Sequence, residues 1–406
     1  MNCVLKDLIS ISKDGEWGKG EHFDGSVEML AIRGTDFEEI RFGSATSTPR
    51  RHIAKHHADR KLLQPWDVII EAAGGTKNQI TGRTVLLRPQ LFASSDLPFT
   101  CASFSRFIRF NTEICDPEFM FWYLQHLYAS GVMHAYHTQH TGVARFQWTT
   151  FSEREPLEIP PLPTQRRIAG ILSAYDELIE NSQRRIKILE SMARALYRGA
   201  LGMSKESLTP RPVADAPYWR FISENVRSYT GTKRYFATAD VEGLAVTGTG
   251  IEYSFADKPS RAQKQPIANS VWFARMKETY KIASYGPQED ERVSGTILSS
   301  GFAGFEARDA ELWPLLFLTV SSKEFHVQKD LYCTGATQMS LTNEGLARIM
   351  LPIPDEQSAR QLGRDAGPML HAMASLQSRN DNLRRTRDLL LPRLLSGQID
   401  VEAVPA

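Results

Sequence analysis

Between Ile168 and Leu196 the apolar side chains fall at Ile168, Leu172, Tyr175, Ile179, Ile186, Leu189, Ala193 and Leu196, and Ser182 fills the one gap. Steps of four and three alternate throughout, which is the spacing of a heptad seam along one face of a helix. Pro163 and Thr164 suit the helix start, and only Gly170 interrupts the run before Gly199. The predicted helix covers 161–199, and a seam this narrow needs a partner to bury it. Arg184, Arg185, Lys187, Glu190 and Arg194 lie off the seam, where they meet water or phosphate.

A second stripe follows near the end of the chain. Leu362, Met369, Leu376, Leu383 and Leu390 recur at intervals of seven, with Ala366, Met373 and Leu394 beside them. Asn380 interrupts this stripe as Ser182 interrupts the first, and a polar seam residue fixes register at a cost in stability. Gly363, Gly367 and Pro368 are predicted to delay the start of this helix and Pro392 to end or kink it. The firm helix is therefore expected from about Pro368 to Leu391 within a segment 353–396. Pairing is expected between Ile168, Leu172, Tyr175, Ile179, Ser182, Ile186 and Leu189 on one helix and Leu376, Asn380, Leu383 and Leu390 on the other.

Two ordinary amphipathic core helices would show the same periodicity, but here the approaches to the helices repeat as well. "TGVARFQWTTFSEREPLEIPPLP" (Thr141 to Pro163) precedes the first and "TGATQMSLTNEGLARIMLPIP" (Thr334 to Pro354) the second. Each has a Thr-Gly, a polar-aromatic stretch, a short apolar strand and a Pro-apolar-Pro exit. The repeat period of about 190 residues is too long for a solenoid and suits two full domains.

The segments before each helix mix strand-like runs with helical ones. "EMLAIRG", "WDVIIEA", "RTVLLR" and "RFIRF" accompany the helical "DPEFMFWYLQHLYASG" in the first. "RYFATADVEG", "SVWFARMK" and "TYKIASYG" accompany "ELWPLLFLTVSSKEF" in the second. Strands and helices do not alternate as a doubly wound sheet requires, so the fold class is α+β. The expected organisation is a first domain at 1–160, a helix at 161–199 and a linker at 200–216. A second domain at 217–352, a helix at 353–396 and a tail at 397–406 follow.

Composition changes this picture little. At 406 residues, 42% hydrophobic and 10% aromatic, the chain can build more than one core. A net charge of +1 does not exclude a nucleic-acid partner, because binding depends on where cations cluster. Cys3, Cys101, Cys115 and Cys333 have no CxxC spacing, which argues against a zinc site or a disulfide framework and for buried thiols in a reducing compartment. The N-terminus lacks a basic region followed by an apolar run, and "LWPLLFLTV" is too short to cross a bilayer, so a cytoplasmic location is expected.

Candidate chemistry lies in loops. "STPRRHIAKHHADRK" carries Arg50, Arg51 and Lys55 with His52, His56 and His57, which lack acidic or thiol neighbours at ligand spacing and read as part of a solvated basic helix. "EAAGGTKNQITGR" follows. Gly74 and Gly75 allow close backbone approach, while Thr76, Lys77, Asn78, Gln79 and Arg83 supply donors and bidentate groups that suit base edges. Arg261, Lys264, Gln265, Arg275, Lys277 and Lys281 form the matching region of the second half. Arg145 and Gln147 in one Thr-Gly loop, and Thr337 and Gln338 in the other, complete the DNA-binding set. Solvated loops and hairpin turns would use the same residue types, since phosphate needs only positive charge.

Catalytic motifs are not found. "GEWGKGEH" lacks the GxxxxGK[ST] spacing, and there is no HExxH, GxSxG, strand-linked GxGxxG or Asn/Asp-Pro-Pro-aromatic loop. Weight shifts from enzyme to binding module.

The two helices with their Pro-apolar-Pro approaches, "IPPLPTQRRIAGILSAYDELIENSQRRIKILESMARALYR" and "LPIPDEQ…LRRTRDLLLPRLLSGQIDV", resemble the specificity subunit of type I restriction-modification systems. The resemblance covers the whole chain in organisation and is close only over the helices and their approaches. It implies a non-catalytic subunit with two target-recognition domains that read a bipartite, asymmetric stretch of double-stranded DNA, and helices paired antiparallel as a spacer. About 30 helical residues span roughly 45 Å, more than one turn of duplex, so several unread base pairs between half-sites are implied. It also implies two methylation subunits carrying S-adenosylmethionine, and restriction/translocation subunits using ATP and Mg, with no cofactor on this chain. On residues alone, a coiled-coil adaptor that never touches DNA and a stand-alone DNA-modifying enzyme stay open.

Overall fold

The computed structural model describes residues 1–74, 79–139, 142–203, 210–248, 250–287, 289–336 and 338–401. The chain divides into two compact units, Met1–Glu180 with Asp381–Ala406, and Asn181–Asn380. Two long helices, Leu162–Met203 of 42 residues and Glu356–Leu395 of 40, each give one part to each unit. The segment 200–216 read as a linker includes the last turn of the first helix and the strand Arg211–Pro212, with 204–209 outside the described residues.

The second helix corrects the expectation that it starts at about Pro368 and ends near Leu391. It begins at Glu356 and passes through Gly363, Gly367, Pro368 and Pro392 without a break. Both prolines sit on its exposed side, where the carbonyls they leave without a donor can reach water. Ala359, Leu362, Ala366, Leu370 and Met373 are buried in the core of unit 2, and that packing outweighs local propensity. Gly363 has a positive role: a Cβ there would lie 1.9 Å from the Glu311 carbonyl oxygen. Gly363→Ala is therefore expected to cost about 1–3 kcal/mol by overpacking, measurable as a lower urea midpoint.

The seam also differs from the seven-residue stripe. Leu370 is buried where Met369 was expected, and Leu383 and Leu390 are half-buried. The buried positions step 362, 366, 370, 373, 376 and 380, following the 3.6-residue helix rather than a strict heptad. Ile168, Leu172 and Ile179 are buried as the seam requires, while Tyr175, Ile186 and Leu189 are half-buried. Ser182 and Asn380 are both buried in unit 2, and Asn380 Oδ1 accepts no hydrogen bond.

Unit 1 is built around an antiparallel sheet in the order Ile9–Asp14, Ser105–Phe110, Val68–Glu71, Thr84–Leu86. Its apolar runs are continuous because both faces are covered. Val68, Ile70 and Ile108 face one cluster, and Ile69, Val85 and Phe107 the other. A second sheet pairs Ser26–Ile32 antiparallel with Arg50–Ala54 and parallel with Phe99–Cys101. The strand Asn2–Val4 pairs with Pro156–Glu158 just before the long helix.

Unit 2 repeats this plan. The order Trp219–Phe221, Phe302–Ala307, Ser270–Ala274, Ile282–Tyr285 copies the first sheet. Val271 and Phe273 enter one core, and Trp272 and Ala274 the other. Lys233–Phe236 pairs antiparallel with Ile251–Tyr253 and parallel with Thr296–Ser299, copying the second sheet. Arg211–Pro212 pairs with Met350–Leu351 before the second long helix. The repeat read from the helix approaches thus extends through both sheets, and the class is mixed α and β, as expected.

One feature of unit 1 is absent from the heptad reading. Asp176, one residue after the seam position Tyr175, is only 2% exposed. Its Oδ2 accepts from Arg41 Nε at 2.9 Å and Nη2 at 2.7 Å, and its Oδ1 from Arg387 Nη1 at 2.5 Å. Both guanidiniums lie near the Trp122 ring, at 5.2 and 5.4 Å. Trp122 Nε1 donates in turn to Ser173 Oγ at 3.2 Å. One carboxylate thus joins a surface-domain helix to segments of both long helices.

Cys101, Cys115 and Cys333 are buried and Cys3 is half-buried, all four unbridged; burial pushes the Cys101 and Cys115 thiols up to about 12. Among the described residues no helix is long and apolar enough to cross a membrane.

Candidate nucleic-acid interface

The loop that follows Val68–Glu71 leaves the sheet through Ala73–Gly74, and Gly74 takes φ +119°, which favours glycine. A Cβ there would lie 3.2 Å from Glu71 Oε1. Ala73 and Gly74 pair with Arg145 and Ala144, which brings the Gly74–Arg83 loop beside the Thr-Gly loop in one small ladder. The third strand of that ladder is His137–Thr138.

The foot of the loop is tied on three sides. Arg83 donates from Nε and Nη2 to the two oxygens of the buried Glu71, each at 2.9 Å, with its guanidinium 5.7 Å from the Phe37 ring centre. Those bonds with Glu71 raise the Arg83 pKa despite desolvation. Thr81 N donates to His137 Nδ1 at 3.2 Å, and Tyr128 OH to the Ile80 carbonyl at 3.1 Å. Gly75, Thr76, Lys77 and Asn78 lie outside the described residues; Gln79 is exposed just beyond them. Arg145 is exposed between buried Ala144 and Phe146, and Gln147 is exposed at the start of helix Trp148–Arg154.

The Arg50–Lys55 cluster sits on the other sheet. Arg50 is 3.7 Å from Glu28, a surface pair worth at most about 1 kcal/mol. Arg51 is committed to the Trp17 and Gly18 carbonyls at 3.0 and 3.2 Å and lies 4.4 Å from the Trp17 ring centre. Lys55 is exposed on the short helix Lys55–Ala58. The His56 and His57 ring centres lie 4.0 Å apart with the planes tilted by 40°; among the described residues no group of three potential ligands could hold a metal.

Unit 2 repeats the ladder with different side chains. Met276 bridges Ser340, Lys277 N donates to the Met339 carbonyl at 3.0 Å, and Leu341 N to the Arg275 carbonyl at 2.8 Å. Gln338 Nε2 reaches Met276 Sδ at 3.4 Å, and Lys277 Nζ reaches Met339 Sδ at 3.9 Å. Thr337 lies outside the described residues.

Several cations of unit 2 hold the fold around these loops. Arg275 donates to the Leu341 carbonyl and to Asn343 Oδ1, each at 2.8 Å, and burial lowers its pKa. Gln265 Nε2 donates to the carbonyls of Pro266, Val293 and Thr296, and its oxygen accepts from Lys233. Lys264 Nζ reaches Asn225 Oδ1 at 2.9 Å, and burial lowers its pKa too. Lys281 Nζ caps the Thr238 carbonyl at 2.9 Å. Arg261 is exposed, with its backbone carbonyl accepting from Ser300 N.

The loop-based reading missed Lys329. Its side chain is fully buried, and Nζ donates to the carbonyls of Met276 at 2.7 Å and Thr279 at 2.8 Å, with Asp330 at 3.0 Å. Asp330 Oδ1 also accepts from Glu278 N at 3.0 Å, where φ is +57°. The end of helix Lys323–Leu331 therefore grips the unit 2 loop at three points. One signal was available: Lys329 falls four residues after Phe325, on the same buried helix face.

Residues 84–191 match the profile of a family described as "Type I restriction modification DNA specificity domain". The fold is similar to the S subunit of a type I restriction-modification system from M. genitalium, with TM-score 0.56, 15% identity and coverage of 97% of this chain and 95% of that one. At that identity the likeness shows the fold alone. The HsdS subunit from Thermoanaerobacter tengcongensis aligns at TM-score 0.36 and 17% identity, over 98% and 97% of the two chains. A structure concerned with complex assembly and conformational transition of the type I R-M system aligns at 0.36 and 16%, over 97% of each. No curated protein matches the chain.

Proposed function

We propose that the chain, whose residues 84–191 match a type I restriction-modification DNA specificity domain, is a non-catalytic DNA sequence-recognition subunit in which each unit reads one half of a bipartite, asymmetric duplex target. The repeated ladder carries this reading. In both units a loop leaving the central sheet is zipped to a second loop ahead of the long helix, by Gly74 with Ala144 in one and Met276 with Ser340 in the other. Equal scaffolds with unequal side chains are what two different half-sites require. Gly74, Gln79, Arg145 and Gln147 face one half-site; Lys277 and Gln338 face the other.

The polar side chains divide by role. Arg51, Arg83, Gln265 and Arg275 hold loops in place through the contacts above, which commit donors that would otherwise be open to a base edge. Arg50, Lys55 and Arg261 are exposed and supply phosphate contacts, which position the duplex.

Two methylation subunits with S-adenosylmethionine, and restriction subunits with ATP and Mg, bring the chemistry in this reading. Arg184 and Arg185 are exposed on the outer face of the first long helix, where a methylation subunit would dock. Arg194 is held by Glu190, the Ser321 carbonyl and Tyr280 OH, so it is assigned no docking role.

The test is methylome sequencing of a host with and without the protein, then with Lys77, Asn78 and Gln79 changed together to alanine. One half of the target is expected to relax by roughly 1–3 kcal/mol per lost base contact while the other half stays. Unchanged preference at both halves would sink the loop assignment.

A further inference from the structure

The two small ladders match residue by residue. In unit 1, Phe146 N donates to the Ala72 carbonyl and Ala72 N to that of Phe104; in unit 2, Leu341 N donates to the Arg275 carbonyl and Arg275 N to that of Gly301. Phe146 therefore corresponds to Leu341, and Ala72 to Arg275. One step along, Arg145 lies between Thr138 and Ala73 on the middle strand of its ladder, and Ser340 lies between Thr334 and Met276. The row keeps a threonine on one side in both units, while its middle position holds an arginine in one and a serine in the other.

Strand alternation fixes the face this position occupies. Phe146 and Leu341 are buried, so the residue before each stands on the opposite face of the ladder. Arg145 is exposed there and Ser340 half-buried. The Arg145 side chain has no hydrogen-bond or ion-pair partner among the described residues, whereas Arg51, Arg83, Arg106 and Arg109 of the same unit each bond to a carbonyl or a carboxylate. Phosphate is met by any cation, but a bidentate bond to a base edge needs a planar fork whose base is held in place. Arg145 meets that need, since its backbone is paired on both sides and the residues before and after it are buried.

Resting on the function proposed above, in which these ladders face DNA, we propose that this row position decides whether a half-site requires a guanine. Arg145 imposes one by bonding to its O6 and N7, the pairing that fits a guanidinium fork. Ser340 carries a hydroxyl too short to span both acceptors and leaves guanine unselected at the matching place.

The experiment uses the full chain with its methylation subunits and the duplex target defined by methylome sequencing, and measures binding as each base pair of the two half-sites is changed in turn to the other three. For the parent, binding is expected to fall about five-fold or more when one particular guanine is replaced, and the Arg145→Ser variant should no longer distinguish that guanine. Ser340→Arg should add a guanine preference of about five-fold at one pair of the other half-site. Each variant retains one parental half-site, whose unchanged discrimination shows that the complex is folded. Arg145→Ser weakening every duplex alike, with a shallower salt dependence, would make Arg145 a phosphate contact and overturn the inference. So would two variants acting on the same half-site, or Ser340→Arg leaving every position as in the parent. A parent complex that prefers no sequence at all would instead overturn the function proposed above.

Discussion

Asp176→Ala is expected to destabilise unit 1 by about 3–5 kcal/mol, which for about 200 residues lowers its unfolding midpoint by roughly 6–20 °C. The carboxylate is 2% exposed and is the shared partner of Arg41 and Arg387. Removing it leaves two guanidiniums at one desolvated point with nothing to oppose their repulsion. Burial already pulls the Arg41 pKa down, and the Asp176 charge acts in the opposite direction, so loss of that charge adds to an existing cost. Replacing all three as Arg41→Met/Asp176→Leu/Arg387→Met should recover most of the loss, because an apolar triad of similar volume removes the desolvation cost together with the attraction. Differential scanning calorimetry separates the outcomes: an Asp176→Ala trace that overlays the parent would show that the triad contributes little.

Lys329→Met is expected to cost one half-site while leaving the other intact. The methionine fills the same buried space but takes the lysine donor from the Thr279 carbonyl, about 1–3 kcal/mol for that group, and leaves the Met276 carbonyl with Thr279 Oγ1 alone at 2.6 Å. That cost falls on the loop that also carries Lys277 and its contact with Met339. Gel shifts with duplexes altered in one half-site at a time should show discrimination in the unit 2 half falling ten-fold or more, with the unit 1 half unchanged. Equal weakening at both halves would point to general destabilisation instead of loop placement. Lys329→Arg serves as a second arm, since a donor that reaches even one carbonyl should restore part of the discrimination.

The candidate site was legible as a set of loops and illegible as a set of roles. Gly74, Arg145 and Gln147 were singled out from residue type, and strand pairing puts Arg145 and Gly74 in one ladder. Arg83 and Arg275 were singled out by the same reasoning, yet both are bonded inward, to Glu71 and to the Leu341 carbonyl with Asn343. An arginine that grips DNA and one that grips a neighbouring loop have the same local sequence, because the difference is the presence of an acceptor brought in by tertiary contact. Lys329 went unnoticed for the converse reason, since a lysine in a helix is normally at the surface. The Met276 and Thr279 carbonyls and the Asp330 carboxylate together make its burial favourable.

The long helices divide the same way. Periodicity alone marked both of them, the polar interruptions at Ser182 and Asn380, and the repeated approaches, because a 3.6-residue period and turn chemistry are local properties. The doubled α+β plan followed from those approaches. Tertiary structure alone decided that the second helix starts at Glu356, since only the Glu311 carbonyl, pressed where a side chain would stand, explains a glycine at 363. It alone decided that Asp176 is an interior charge, because that requires Arg41 and Arg387 to arrive from positions 135 and 211 residues away. A single strand of sequence carries propensity and pattern; partners for buried charges and carbonyls are set by contacts between distant segments, and those exist only once the chain has folded.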